Sequence, residues 1–447
     1  MSHDEASGMP RDWAAIEAAR SAALATTLDL AAERHALTRR KLSAAGLTRA
    51  DLRGPADLAR LPLTTKAELM ADPAAALLDL DGADVPEEQR IAWDTMYTTG
   101  STSGRPTPFL STTSDFWDIL LLQRRMLEIR GVTRDDRIAN LFPLTKHPHG
   151  AFIRVLHAAA ALQIPVVSAL PGNPGPGFAV GQALDGVVET LARSRPTVLW
   201  GVPSYIRHVV ARAAELGIAL PSVRLVFVTG EGLSEEGRGE LLARLAALGA
   251  PQARVSISYG MTEMQGGLVE CSAGAGLHNP HPEAIAIDIV DPATQLPVPD
   301  GKEGLIVLSH MRRRGTLLLR YAVGDLGIRD TAPCPHCGRV TERIMGTPRR
   351  ADELTKIRGM LVNPALALAA VEGMAEVRDF RFEVSRQGTL GMDEFVLLVV
   401  PEPGASPGAA LAERVKGAIG VTPRVEMVAE IGGAGWKAKR WVDQRGG

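Results

Sequence analysis

From about residue 115 to 310, Ala/Leu-rich stretches with helical spacing alternate with short β-branched runs: IPVV (164–167), TVLWGV (197–202), VRLVFVTG (223–230) and RVSISYG (254–260). Apolar runs of this length bounded by turn residues read as strands, and the intervening segments read as helices. The alternation predicts an α/β fold with a mainly parallel sheet flanked by helices. Glycine or a polar loop follows several of these runs. Open α/β sheets bind ligands outside the carboxyl ends of their strands, so a site is expected at those loops.

The texture changes on either side of this block. Residues 12–50 are rich in Ala, Leu and Arg with helical spacing, and LPLTTKAELMADP (61–73) reads as a turn capped by Thr64 or Thr65 that enters another helix. After Asp325 comes a Cys/Gly/Arg-rich segment. Beyond residue 350, VRDFRFEVS and EFVLLVVPEP form a hairpin pattern, AALAERVKGAIG a helix and RVEMV a strand before a Gly-rich tail loop. A chain of 447 residues is long for one core. The expected division is a large domain, 1–350, and a small mobile α+β domain, 351–447.

Composition narrows the class of partner. The chain has 49 basic and 51 acidic residues and no block of like charges, which argues against nucleic acid and anionic lipid as ligands. The N-terminal residues lack the apolar core of a secretory signal and are too acidic for a transit peptide. Val155 to Leu184 has no charged residue, but Pro165, Pro171, Pro174 and Pro176 would break a spanning helix, so it reads as buried core and loop. Three cysteines are too few for a disulfide scaffold, and the reducing cytoplasm is the expected compartment.

Three runs carry nucleotide chemistry. YTTGSTSGRPTPF (97–109) interleaves hydroxyls with Gly100 and Gly104, letting backbone amides and side-chain oxygens approach a polyphosphate. It lacks the spacing and the lysine of a Walker loop. SYGMTEMQGG (258–267) offers a ring to stack on a base, a hydroxyl for phosphate and a carboxylate suited to Mg²⁺. RYAVGDLG (320–327) places Asp325 where a carboxylate can accept ribose hydroxyls. Each run alone is also readable as an ordinary turn.

A separate constellation is metal-like. CPHCG (334–338) and ECSAGAGLH (270–278) offer Cys271, His278, Cys334 and Cys337, a donor set that matches a closed tetrahedral structural zinc site. His281 and His336 are spare donors. The alternative is a reduced Cys-x-x-Cys turn with Cys271 buried elsewhere.

Taken in order, YTTGSTSGRPTPF, SYGMTE, YAVGDLG, RRADELTKIRG (349–359) and WKAKRWVDQR (436–445) resemble the adenylate-forming acyl-CoA ligase superfamily. The likeness is closest to phenylacetate–CoA ligases, whose helical preamble with a Leu-Pro-x-Thr-Thr-Lys turn is similar. The resemblance implies that ATP and Mg²⁺ activate an aromatic, arylacetate-like carboxylic acid to acyl-AMP, which is then passed to coenzyme A. It implies a phosphate loop at Thr99, Ser101, Thr102, Ser103, Gly104 and Arg105. Tyr259 and Gly260 would lie at the adenine near Gly230 and Glu231, with Thr262 and Glu263 catalytic and Glu263 holding Mg²⁺. Asp325 and Arg350 would serve the ribose, Asp352 the hinge, and Lys437 the adenylation step, with Lys439 as its rival. Some relatives carry zinc on a similar Cys/His pattern.

The physical case for a mobile lysine is that carboxylate attack on the α-phosphate brings two anions together and shifts charge to departing pyrophosphate. For the acid, Lys146 and His149 in NLFPLTKHPHGAF (140–152) would meet a polar substituent, and Tyr205 in WGVPSYIRH (200–208) would line an apolar wall. Expected partners are thus a small-molecule acid, ATP and CoA, with neither nucleic acid nor membrane, and a homodimer is allowed for. Two further readings stay open: transfer of the acyl group to an amine or carrier protein, and a nucleotide-binding regulatory module without turnover.

Overall fold

The computed structural model describes residues 8–98, 106–144, 150–172, 180–350, 355–357, 360–386, 393–431 and 439–445. The chain forms two compact units. The first comprises Met1–Asn140, Leu144–Val167 and Ser256–Arg350; the second comprises Leu141–Pro143, Ser168–Val255 and Ala351–Gly447.

In the first unit the N-terminal residues fold as helices Trp13–Arg34 and Ala36–Ala45. Asp12 starts the first helix by accepting the Ala15 N–H at 2.8 Å, and His35 starts the second by accepting the Thr38 N–H on Nδ1 at 3.2 Å. Their apolar face joins Leu24, Leu28 and Leu42 to Met311 and Leu317 in one core cluster. At the Leu-Pro-x-Thr-Thr-Lys turn, Thr65 and Glu68 form a capping box for the Lys66–Ala71 helix. Thr64 instead donates its hydroxyl to the Leu319 carbonyl at 3.1 Å.

The main sheet of this unit runs in the order Ile285–Val290, Glu303–His310, Tyr321–Asp330, Arg343–Arg350, Leu277–His278, Gly266–Glu270, Arg254–Met261. Its pairings are antiparallel throughout the described residues. Parallel pairing holds where helices intervene, as for Val198–Gly201 with Leu225–Thr229 in the second unit. Past Met261 the strands are joined by turns and loops without an α-helical crossover, and such connections produce antiparallel neighbours.

The second unit holds the parallel pair, helices Leu184–Ser194, Pro203–Glu215 and Glu235–Ala247, and the C-terminal α+β segment. That segment is a four-stranded sheet ordered Arg424–Met427, Asp393–Pro401, Val377–Arg386, Trp441–Asp443, with an antiparallel centre and parallel flanks. Phe380, Phe382, Phe395, Leu397, Leu411 and Val415 fill its core beneath helices Pro364–Glu372 and Gly408–Ile419. Within the same unit Glu372 accepts the Ser234 N–H at 3.1 Å at the start of the Glu235–Ala247 helix, and Arg244 reaches Glu402 at 2.8 Å. Among the described residues, no helix is long and apolar enough to cross a membrane.

Candidate active site

The Arg254–Met261 strand ends in a short 3-10 turn, Thr262–Met264, and the chain returns as Gly266–Glu270. Gln265 makes the reversal in the left-handed region, with φ 56°. The turn is tight enough to demand glycine. A Cβ on Gly267 would sit 2.8 Å from the Tyr259 carbonyl oxygen, and one on Gly266 would run into the Leu122 side chain. The hairpin holds the Glu263 side chain inward, where the residue is 8% exposed.

Tyr321 holds the carboxylate itself, and His310 holds the backbone carbonyl of the same residue. Tyr321 donates its hydroxyl to Glu263 Oε1 at 2.9 Å. Leu318 donates its N–H to His310 Nδ1 at 3.1 Å, so the proton of this imidazole is on Nε2, which donates to the Glu263 carbonyl at 2.9 Å. Burial pushes His310 down to about 3, so it is neutral. Burial, reinforced by the Glu263 charge, pushes the Tyr321 phenol up and keeps it a donor. Among the described residues, Glu263 Oε2 accepts no hydrogen bond. A carboxylate held at one oxygen with the other available suits Mg²⁺, which takes few protein oxygens beside phosphate.

A second group forms on the Tyr321–Asp330 strand. Tyr321, Val323 and Asp325 alternate onto one face, which explains how one short run supplies both a donor to Glu263 and a second carboxylate. Asp325 stands opposite Arg350 in the ladder, with Arg350 Nε 3.2 Å from Oδ1. The Tyr259 hydroxyl donates to Asp325 Oδ2. Burial first, and then Asp325, pushes the Tyr259 phenol up, so it remains a donor. Thus Tyr259, Glu263, Asp325 and Arg350, expected to act together from the sequence, form a contiguous polar group. Tyr321 and His310 complete it. Tyr321 lay inside RYAVGDLG and could have been read from the strand's alternation; His310 had no such signal.

Thr262 is half-buried and its carbonyl accepts the Gln265 N–H at 3.0 Å; Gly260 is exposed on the strand. In the second unit Gly230 ends the Leu225–Thr229 strand at φ 87°, and Glu231 Oε2 accepts the Ser204 N–H at 3.2 Å at the start of the Pro203–Glu215 helix. Tyr205 is half-buried on that helix and burial pushes its phenol up. Trp200 is buried edge-on to Phe227 at 5.5 Å. Thr99, Ser101, Thr102, Ser103, Gly104, Arg105, Lys146, His149, Asp352 and Lys437 lie outside the described residues. Lys439 is exposed. Arg440 is held in place: its carbonyl accepts the Phe382 N–H at 2.8 Å and its guanidinium lies 3.3 Å from Asp379.

The Cys/His constellation converges. Donor atoms of Cys271, His278, Cys334 and Cys337 lie within 4.8 Å of one another, the one such metal-like group among the described residues. Cys271 Sγ is 3.8 Å from Cys334 Sγ, and Cys337 Sγ is 3.6 Å from His278 Nε2. A tetrahedral zinc at ordinary bond lengths has S–S edges of about 3.8 Å and S–N edges of about 3.6 Å, so the donors fit that ion. The hydrogen bond between the Cys271 and Cys337 thiols holds Cys337 down and pushes Cys271 up, so without an ion they share a proton; a bound metal would take all three sulfurs as thiolates. His281 is not a donor to this group: its Nε2 faces Arg312 at 3.0 Å.

The chain is similar to several known proteins. The sequence family described as AMP-binding enzyme matches residues 95–312. The phenylacetate-coenzyme A ligase of Thermus thermophilus is 27% identical over 378 residues, covering 83% of this chain and 78% of that protein. The phenylacetate-coenzyme A ligase of Escherichia coli (strain K12) is 24% identical over 429 residues, covering 92% and 91%. Among solved structures, 2-hydroxyisobutyryl-CoA ligase in the postadenylation state in complex with R3-HIB-AMP matches with a TM-score of 0.79 at 23% identity, covering 97% of this chain and 90% of that one. The chain thus carries a match to the AMP-binding enzyme family over residues 95–312 and is similar along most of its length to phenylacetate-coenzyme A ligases, which supports the adenylate-forming acyl-CoA ligase resemblance.

Proposed function

We propose that the protein activates an aromatic, arylacetate-like carboxylic acid with ATP and transfers it to coenzyme A. The observation that carries this reading is the likeness to phenylacetate-coenzyme A ligases along nearly the whole chain, joined to the fixed Glu263 and Asp325 carboxylates. In the first half-reaction a carboxylate oxygen of the acid attacks the α-phosphorus and pyrophosphate leaves. In the second, the CoA sulfur attacks the acyl carbon, its proton is lost and AMP departs.

Each group on the chain has a part. Asp325 accepts the ribose hydroxyls, with Arg350 beside it, and Tyr259, Gly260, Gly230 and Glu231 serve the adenine end. Thr99 and Ser101 to Arg105 cradle the phosphates. Glu263 would hold Mg²⁺, which supplies charge neutralisation for the departing pyrophosphate, and Thr262 adds a hydroxyl next to it. Tyr321 and His310 keep Glu263 from turning away.

Lys437 supplies the mobile cation for adenylation. The 351–447 segment acts as a lid hinged at Asp352, so that the lysine can leave before the thiol enters. Lys146, His149 and Tyr205 contact the acid. Cys271, His278, Cys334 and Cys337 would hold a structural zinc remote from the chemistry, and a reducing cytoplasm suits the thiols.

The test is pyrophosphate release with a panel of acids, ATP and Mg²⁺, with and without CoA. The panel includes phenylacetate, ring-substituted benzoates and 2-hydroxyisobutyrate. Release dependent on an aryl acid, with CoA-dependent thioester, supports the reading. A preference for the aliphatic hydroxy acid overturns the aromatic assignment, and CoA-independent product points to an amine or carrier acceptor.

A further inference from the structure

His278 has two ring nitrogens, and only one of them can face a metal held with Cys271, Cys334 and Cys337. The residue is fully buried in the two-residue strand Leu277–His278, between Arg343–Arg350 and Gly266–Glu270. Nε2 faces Cys337 Sγ at 3.6 Å, on the side where the donors gather. Nδ1 faces away from them, 3.4 Å from the Thr341 hydroxyl oxygen. Among the described residues, no other hydrogen bond reaches Nδ1.

What Thr341 can offer that nitrogen is decided by its own proton. A hydroxyl has one, and Thr341 donates it to the Glu342 carbonyl at 2.9 Å. The oxygen therefore turns a lone pair to the ring, and a lone pair there calls for an N–H at Nδ1. The imidazole is held as the Nδ1–H tautomer, which leaves on Nε2 the lone pair that a metal needs. The other tautomer would present an N–H to the sulfurs and could not ligate.

The accepting carbonyl is itself fixed. It also accepts the Asn279 N–H at 2.9 Å. Asn279 Nδ2 donates to Glu342 Oε2 at 3.2 Å and to the Ile285 carbonyl at 2.7 Å. Glu342 Oε1 pairs with Arg20 Nη2, on the Trp13–Arg34 helix, and Arg20 Nε donates to the Pro282 carbonyl at 2.7 Å. Thr341 is fully buried and Glu342 nearly so, and the hydroxyl has no water to turn to. Its direction is set by this frame.

We propose that Thr341 is a positioning residue for the metal centre: by holding His278 in the Nδ1–H tautomer it sets the zinc affinity of Cys271, His278, Cys334 and Cys337. This rests on the zinc reading above. The outer partner of a metal-bound imidazole is typically worth 10–100-fold in affinity, so an effect on the order of tenfold or more is expected.

The test strips the full-length protein of metal and measures zinc affinity by competition with a chromogenic chelator, beside the melting temperature of each metal-free sample. Thr341→Val removes the hydroxyl at nearly constant size, and the Asn279 N–H still satisfies the Glu342 carbonyl, so no backbone group is orphaned. Thr341→Ala removes the same hydroxyl without setting a methyl against the ring. Thr341→Ser restores it.

The expected result is a loss of roughly 10–100-fold in zinc affinity for Thr341→Val and Thr341→Ala, with Thr341→Ser within about threefold of wild type. The metal-free melting temperatures of Thr341→Val and wild type should agree within about 2 °C, which a merely structural role would not allow. Wild-type zinc affinity in either hydroxyl-free variant overturns the proposal, as does a loss in Thr341→Ser equal to that in Thr341→Val. Failure of the zinc reading looks different. In that case the wild type itself takes up no zinc, and the proposal falls with it.

Discussion

Replacing Cys334 by serine is expected to release a zinc ion and to lower the melting temperature of the whole protein. Cys271 and Cys334 are 63 positions apart in the chain, yet their sulfurs sit 3.8 Å apart. A cross-link closing a loop of that length removes about 4 kcal/mol of conformational freedom from the unfolded chain. In a protein of this size such a loss corresponds to a drop of about 4 °C. Zinc adds its own binding energy to this figure, which therefore marks the lower end of the effect.

The assay is plasma emission analysis of protein purified without metal-affinity resin, together with calorimetric melts of wild type, Cys334→Ser and chelator-treated wild type. Wild type should carry about one equivalent of zinc, and the two stripped samples should melt together well below it. A wild type free of zinc after growth in zinc-supplemented medium refutes the reasoning. So does a Cys334→Ser variant that melts within about 1 °C of wild type, because the loop-closure cost would then be absent.

Lys437→Ala should lower acid-dependent pyrophosphate exchange by on the order of 10² or more while leaving thioester formation from supplied acyl-adenylate largely intact; equal loss in both halves contradicts the rotating lid. Tyr321→Phe removes a hydrogen bond to an ionised carboxylate, worth about 2 kcal/mol, and should slow exchange on the order of thirtyfold at limiting Mg²⁺, with partial recovery as Mg²⁺ is raised. Wild-type behaviour at low Mg²⁺ would remove Tyr321 from the account. His35 is 1% exposed and burial pushes it down to about 4, below its ordinary value of 6.5. Between those values the unfolded chain binds the extra proton. Stability from this residue is therefore full above pH 6.5 and falls by about 1.4 kcal/mol per pH unit as pH drops toward 4. Denaturant melts of wild type and His35→Asn from pH 7.5 to 4.5 should diverge in slope by that amount, and parallel curves would show that His35 is not responsible.

Much of the molecule was legible because the relevant signals are local. Thr65 and Glu68 announce the Lys66–Ala71 helix, and the hairpin, helix and strand of the C-terminal segment follow their apolar periods. Cys334 and Cys337 signal themselves by spacing, and Cys271 and His278 by their distance from one another. What was not legible is what depends on long-range pairing. The Trp441–Asp443 strand is three residues long and owes its place to parallel pairing with Phe382–Val384 and to packing of Trp441 on Phe382 and Phe395. The antiparallel ladder after Met261 follows from the connections between strands rather than from the strands' own residues. Asp94, Arg154 and Gln265 belong to three distant segments with no shared pattern, and only the fold makes them one group.

The central claim is that an aryl acid is converted to an adenylate and then to a thioester at this site. The most direct measurement is mass spectrometry of a stoichiometric reaction of enzyme, phenylacetate, ATP and Mg²⁺, first without CoA and then after CoA is added. The account predicts an enzyme-bound phenylacetyl-adenylate that disappears on CoA addition as phenylacetyl-CoA and AMP appear in equal amounts. Conversion of ATP to ADP, or an adenylate that forms only with aliphatic acids, would contradict it.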